Sequence, residues 1–202
     1  MAYLTQETLE NMGFAALGRN VRISDKASLY EPEKMSLGDH TRIDDFCVVS
    51  GRVVTGRNVH IAPLCLVAGG SPGITFGDFS GLAYGVKVFS QSDDYSGATL
   101  TNPTVPAAYK AEHKAPVSLG RHVIVGANAV IAPGVELGEG AAVGAGAVVL
   151  RSCAPWTILT GVPARPGKTR ACDLLAQEQA LLQAEAEAER AAAKFPPSPP
   201  TS

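Results

Sequence analysis

Residues 119–154, LGRHVIVGANAVIAPGVELGEGAAVGAGAVVLRSCA, divide into six units of six, opening on Leu119, Val125, Ile131, Leu137, Val143 and Val149. The next position is small in all but one unit: Gly120, Gly126, Ala132, Gly138 and Gly144, with Leu150 as the exception. An α-helix would repeat apolar residues every three or four positions. One branched aliphatic in six, followed by a small residue, suits a short strand and a turn. Three such units close one coil of eighteen residues. Stacked coils hydrogen-bond strand to strand about 4.8 Å apart, and their aliphatic residues form ladders pointing inward. The stretch therefore predicts an all-β solenoid with the cross-section of a prism.

The period runs backwards from there. The first slot recurs at Leu37, Ile43, Val49, Thr55, Ile61 and Val67, slips by three residues, and resumes at Phe76, Leu82 and Val88. Of the fifteen first-slot positions only Thr55 and Phe76 are not Val, Ile or Leu. The fifth slot is also expected to face inward and is small: Thr41, Cys47, Val53, Val59, Cys65, Ser71, Ala129, Ala141, Ala147 and Cys153. Coils are expected at 37–54, 55–75, 76–118, 119–136 and 137–154, with a decayed one at 17–36. Around this solenoid (17–154) lie an N-terminal cap (1–16) with a short helix over 5–15 started by Thr5, and a closing extended segment (155–170). A helix (171–194) carrying Leu174, Leu175, Leu181 and Leu182 on one side follows, and then the Pro-rich tail 195–202, expected to be disordered. One coil carries a long insertion, 94–118, and a long loop on a regular scaffold is where function concentrates.

Composition narrows the function classes. Seventeen Lys and Arg against nineteen Asp and Glu give a net charge of −2, which provides no positive field for nucleic acid. Aromatics are only 6%, while 21 glycines and 14 prolines point to many tight turns rather than a helical bundle. No stretch reaches the length of a membrane span, and the start MAYLTQETLENMGF lacks a basic flank leading into an apolar run, so a soluble, cytoplasmic protein is expected. Cys47, Cys65 and Cys153 fall on inward slots and read as packing rather than nucleophiles. With Cys172 they form no metal-ligand spacing, and no metal is expected.

Residues 119–165, ending in GVPAR (161–165), resemble the hexapeptide-repeat acyltransferases, such as the galactoside and maltose O-acetyltransferases. The resemblance implies a left-handed parallel β-helix, a homotrimer, and transfer of an acyl group from acetyl-CoA to a hydroxyl or amine. RIDDFCVVSG (42–51), VHIAP (59–63), DFSG (78–81) and SDDYSGATLTNPTVPAAYK (92–110) are similar to the subgroup that N-acylates nucleotide-linked amino sugars, for example dTDP-4-amino-4,6-dideoxyhexoses for surface polysaccharide. By the same resemblance, coenzyme A would be met by backbone at Ala127 in VGANAV and Ala145 in VGAGAV. Its phosphates would be met by Arg165 and Lys168, and by Arg151 as a weaker candidate.

Acyl transfer from a thioester needs a nucleophile relieved of its proton, an oxyanion donor and a slot for the pantetheine arm. The galactoside-type enzymes carry a histidine at the start of the long loop, where this sequence has Ser92, Asp93, Asp94 and Tyr95. That departure favours an amine acceptor, which can be neutral near pH 7. Candidate catalytic groups are His60, on an outward slot, and Asp93 and Asp94 on the loop. Tyr95, Ser96, Asn102 and Tyr109 are candidate substrate contacts, although turn formation explains the aspartates equally well, Asn102 most simply starts a turn before Pro103, and tyrosines such as Tyr95 and Tyr109 more often anchor a loop than bind a ligand. His60 and Asp93 fall at different corners of one prism, so a joint site needs two chains. His40, His113 and His122 read as surface residues. O-acylation with His60 as base is the alternative reading, and a non-catalytic trimeric scaffold is another. A β-helix carbonic anhydrase is disfavoured by histidine intervals of 20, 53 and 9 residues.

Overall fold

The computed structural model describes residues 2–194, and the tail expected over 195–202 lies outside them. Residues 2–170 build a left-handed parallel β-helix whose three flat faces are three parallel sheets. The first face stacks Ala16–Leu17, Met35–Leu37, Val53–Thr55, Ile74–Phe76, Val117–Leu119 and Glu136–Leu137. The second stacks Arg22–Ile23, Arg42–Ile43, His60–Ile61, Gly81–Leu82, Ile124–Val125 and Ala142–Val143. The third stacks Ser28–Tyr30, Val48–Ser50, Leu66–Ala68, Lys87–Phe89, Val130–Ile131 and Val148–Val149. Register follows the sixfold repeat: Leu37 lies opposite Leu17, Leu82 opposite Ile61 and Val125, and Val88 opposite Val67 and Ile131. The decayed coil at 17–36 is a full coil in this respect.

The interior is a set of vertical ladders. First-slot residues such as Ile43, Ile61, Leu82 and Val125, and fifth-slot residues such as Cys47, Val59, Cys65 and Ala129, are buried. Ser71 departs from the expectation and is exposed, because the three-residue slip hands the place opposite Val53 to Ile74. Cys153 is only half-buried, as it closes the stack through a single bridge to Leu137. Thr55, the hydrophilic member of the first-slot ladder, is satisfied by the Thr41 hydroxyl at 2.8 Å and by the Gly38 amide at 3.0 Å. Among the described residues no buried side-chain nitrogen or oxygen lacks a hydrogen-bond partner, as a polar group in such a core requires.

The corners between the first and second faces each turn through one residue with left-handed backbone. These are Asn20, His40, Asn58, Phe79, His122, Gly140 and Trp156, with φ between 55° and 68°. Asparagine and glycine suit this region, and the bulky residues there are held by one another. Phe79 stacks on His122 at 5.4 Å, and the Arg57 guanidinium lies over the Phe79 ring at 5.7 Å from its centroid. His122 is therefore buried in this corner stack and is not the surface residue expected. The small second slot also has a steric cause: a Cβ on Gly77 would stand 2.5 Å from the Arg121 amide nitrogen of the next coil.

The N-terminal helix Gln6–Asn11 is capped by the Thr5 hydroxyl, which accepts from the Thr8 amide at 3.2 Å, and its Leu9 joins the solenoid core. At the other end, the segment 155–170 is a hairpin rather than a simple extended strand. Thr157–Gly161 continues the second sheet beside Ala142–Val143, and Ala164–Thr169 folds back against it. Residues from 171 form a separate unit with the helix Leu174–Lys194, and no described helix is long and apolar enough to cross a membrane. Replacing Gly77 by Ala forces two coils apart at backbone, not at a flexible side chain, and is expected to cost about 1–3 kcal/mol in urea unfolding.

Candidate active site

The outward ladder of the second face reads Arg22, Arg42, His60, Gly81, Ile124, Ala142. His60 stands on it with its side chain 47% exposed, and its Nε2 lies 2.8 Å from Oδ2 of Asp44. Asp44 is almost fully buried although it occupies the second slot, where the repeat otherwise asks for a small residue. Arg42 grips the same carboxylate from the other side, donating from Nε to Oδ1 at 2.7 Å and from Nη2 to Oδ2 at 2.9 Å. Burial opposes the Asp44 charge, but the hydrogen bonds from Arg42 and then His60 outweigh it and hold the carboxyl below the usual range. The hydrogen bond to Asp44 in turn raises the Arg42 guanidinium. Tyr3 completes the cluster: its hydroxyl donates to Asp44 Oδ1 at 3.5 Å, and Arg22 and Arg42 lie 5.8 and 5.9 Å from its ring.

The long loop leaves the prism through a two-stranded antiparallel neck, Gln91–Ser92 against His113–Lys114, so residues 93–112 project as one excursion. Its two aspartates organise it. Asp94 Oδ1 accepts from the Ser96 amide at 2.8 Å, and Oδ2 accepts from the amide and hydroxyl of Thr99 at 3.1 and 3.0 Å. Asp93 Oδ2 accepts from the Asn102 amide at 3.3 Å, and Asn102 accepts from the amide and hydroxyl of Thr104 at 3.0 and 2.6 Å. Hydrogen bonds from Ser96, foremost, and Thr99 push the Asp94 carboxyl down to about 2. Both its oxygens are thus committed to the loop, whereas Asp93 also borders a cavity of about 570 Å³ beneath it. Phe89, Val130 and Leu150 give this cavity an apolar floor, with Asp93, Tyr95 and Glu112 on its rim. Glu112 is held ionised by Lys114 at 2.8 Å and Lys110 at 3.2 Å. Tyr95 is 91% exposed, and Tyr109 is exposed at a shallower hollow of the same loop.

Ala127 and Ala145 stack on adjacent coils at the corner between the second and third faces, where the Gly146 amide donates to the Ala127 carbonyl at 2.8 Å. Tyr84 occupies the same corner one coil earlier, its carbonyl accepting from the Asn128 amide at 2.9 Å. The closing hairpin brings Arg165 opposite Thr160, which packs beside Gly144, so this exposed cation stands close to the Ala127–Ala145 edge. Lys168 is exposed further along the same strand. Arg151 follows Leu150 at a different corner, away from this edge. Within one chain, His60 and Asp93 lie on different faces and do not meet.

Sequence reasoning missed Asp44, Arg42, Phe89, Leu150 and Glu112. Three of these had a signal. Asp44, Phe89 and Leu150 are the three second-slot residues among fifteen that are not Gly, Ala or Ser. One carries His60 and the other two floor the cavity.

Residues 116–151 match the family described as bacterial transferase hexapeptide (six repeats). The chain is 40% identical over 181 residues to a dTDP-4-amino-4,6-dideoxy-D-glucose acyltransferase from Escherichia coli, covering 88% of this chain and 94% of that protein. The chain belongs to the hexapeptide-repeat acyltransferases. Among solved structures, a variant of AntD, an N-acyltransferase from Bacillus cereus, in complex with dTDP-4-amino-4,6-dideoxyglucose and coenzyme A superposes with a TM-score of 0.89. It has 42% identity and covers 91% of this chain and 98% of that one. AntD in complex with dTDP and 3-hydroxybutyryl-CoA gives the same TM-score, 0.89, at 42% identity over 91% and 97% of the two chains. A maltose O-acetyltransferase from Clostridium difficile 630, with TM-score 0.56 and 19% identity over 83% and 75%, shares the fold alone.

Because the Asp94 carboxyl is lowered from an ordinary 3.8 to about 2, it favours the ordered loop fully above about pH 4 and loses that effect as pH falls through about 2. Hydrogen exchange at the Ser96 and Thr99 amides should stay protected at pH 4, and in Asp94→Ala the protection should already be lost at neutral pH.

Proposed function

We propose that this chain is an acyl-CoA-dependent N-acyltransferase whose acceptor is a dTDP-linked 4-amino-4,6-dideoxyhexose. The observation that carries this reading is the likeness, over some nine-tenths of both chains, to AntD holding such a sugar nucleotide together with coenzyme A. The reaction needs no metal: the neutral sugar amine attacks the thioester carbonyl, the new N–C bond forms as the C–S bond breaks, and the amine's proton leaves by way of a base to the departing thiolate. Donor and products then balance as amide and free coenzyme A thiol. An amine acceptor makes modest demands on that base, in keeping with a loop that opens on Ser92, Asp93, Asp94 and Tyr95 instead of a histidine. Acetyl-CoA is the simplest donor.

The coenzyme fits the edge marked by Ala127 and Ala145, whose short side chains let the pantetheine arm approach backbone, with Arg165 and Lys168 placed for its phosphates. Phe46, Leu64 and Tyr84, which are 58%, 60% and 63% exposed, lie along that edge on successive coils. Apolar groups in such a row are the mark of a subunit contact and support a homotrimer with the site between chains. His60 of one chain would then face the Asp93 loop of the next. The buried or half-buried Cys47, Cys65 and Cys153 form no disulfide, and this supports a cytoplasmic setting.

O-acylation of a sugar hydroxyl is the second reading, favoured by the held imidazole of His60 alone. Steady-state kinetics, following thiol release, separates the two. With the amino sugar, His60→Ala should lower kcat by roughly ten- to a hundredfold, within the range of general-base catalysis. A wild-type enzyme that acylates only the 4-hydroxyl analogue would sink the N-acyl reading. Arg165→Ala and Lys168→Ala should each weaken coenzyme A binding by about 1–2 kcal/mol in calorimetry. Unchanged affinity in both would displace the coenzyme from this edge.

A further inference from the structure

Among the described residues the His60 imidazole makes one hydrogen bond, and it goes to a carboxylate that the rest of the structure keeps ionised. An ionised carboxylate only accepts, so the ring nitrogen it meets, Nε2, must carry the hydrogen. Nδ1 of the neutral ring is then left as a lone pair, and no group among the described residues engages it. The ring stands on the open face of the sheet beside Gly81, where a Cβ would lie 3.9 Å from His60 Cβ and 3.9 Å from Ile124 Cδ1. Gly81 puts no side chain beside the imidazole on the neighbouring coil, and the ring, half exposed, can be reached from solvent. Asp44 has no such access: it is buried behind His60 and fixed in orientation by two hydrogen bonds from Arg42.

From this geometry we infer that Asp44, anchored by Arg42, is a positioning residue: it holds the His60 proton on Nε2 and so makes Nδ1 the atom that accepts the proton of the sugar amine. The inference rests on the reading of His60 as the acceptor-facing base. A carboxylate that fixes an imidazole tautomer also stabilises the imidazolium once the proton has arrived, without taking the proton itself. Arg42 keeps the carboxylate from rotating and from being protonated in competition. Tyr3, reaching the same carboxylate from the N-terminal segment, ties that segment to the site.

The experiment combines nitrogen NMR of histidine-labelled protein with kinetics of His60→Ala, Asp44→Asn and the double variant. In the wild type the neutral His60 ring should show hydrogen on Nε2, and in Asp44→Asn, which keeps shape but not charge, both tautomers should be populated. Asp44→Asn should lower kcat about tenfold with the KM for coenzyme A donor unchanged, and should add no further loss in the His60→Ala background, since it acts through His60. A wild-type ring with hydrogen on Nδ1, or an equal loss from Asp44→Asn whether or not His60 is present, would overturn the inference even if the protein remains an N-acyltransferase. Full activity in Asp44→Asn beside a slow His60→Ala would overturn the positioning role alone. Full activity in His60→Ala would remove the base reading as well.

Discussion

Everything in this molecule is subordinate to the spacing of stacked strands. Each coil sits one hydrogen-bonded strand separation from the next, so whatever side chain occurs at a given slot meets the same slot above and below it. This constraint selects aliphatic residues for the inward ladders, where Ile43, Ile61, Leu82 and Val125 touch in sequence, and glycine where a corner brings backbones together. It also allots one left-handed residue to each turn of the corner between the first two faces, from Asn20 to Trp156. Stability is spread along the axis as a sum of neighbouring contacts, with the N-terminal helix and the C-terminal hairpin covering the two open ends.

Against that uniformity the candidate functional groups are exceptions to a rule. His60 needs an outward position on a rigid strand, and the sheet supplies it. It also needs a partner, and Asp44 is inserted at a slot that the fold would fill with alanine or glycine. The cost of burying a carboxylate there is offset by Arg42, two residues earlier on the strand that ends at Ile43, which donates two hydrogen bonds to it. Phe89 and Leu150 break the same small-residue rule at another corner, and there the chain gains a cavity floor.

The prism was legible in the sequence because a sixfold repeat leaves few alternatives: a first slot that is aliphatic thirteen times in fifteen has to face a common interior. The slip between Val67 and Phe76 reads as a change of register, but counting the period across it assigns the inward place to Ser71, whereas Ile74 takes it. His122 was misread as exposed, because its burial depends on Phe79, a partner one coil away and 43 residues earlier. The site was legible only in part. His60 could be singled out by residue type and slot, whereas its link to Asp44 joins positions 16 apart that only the coil brings together. The aspartates of the loop were ambiguous for a different reason: the groups that recognise a substrate and those that shape a turn are chemically the same.

The neck at Gln91–Ser92 and His113–Lys114 carries one more implication. Ile74–Phe76 pairs with Val117–Leu119 as closely as any two successive coils, as though residues 93–112 were not there. The pairing of these coils therefore sets no length for the excursion at 93–112. If the acceptor binds at this loop and the coenzyme at the Ala127–Ala145 edge, as proposed, acceptor preference can be rewritten by insertion, deletion or exchange while the proposed donor edge and the prism stay unchanged, and the two halves of the reaction are free to evolve at different rates.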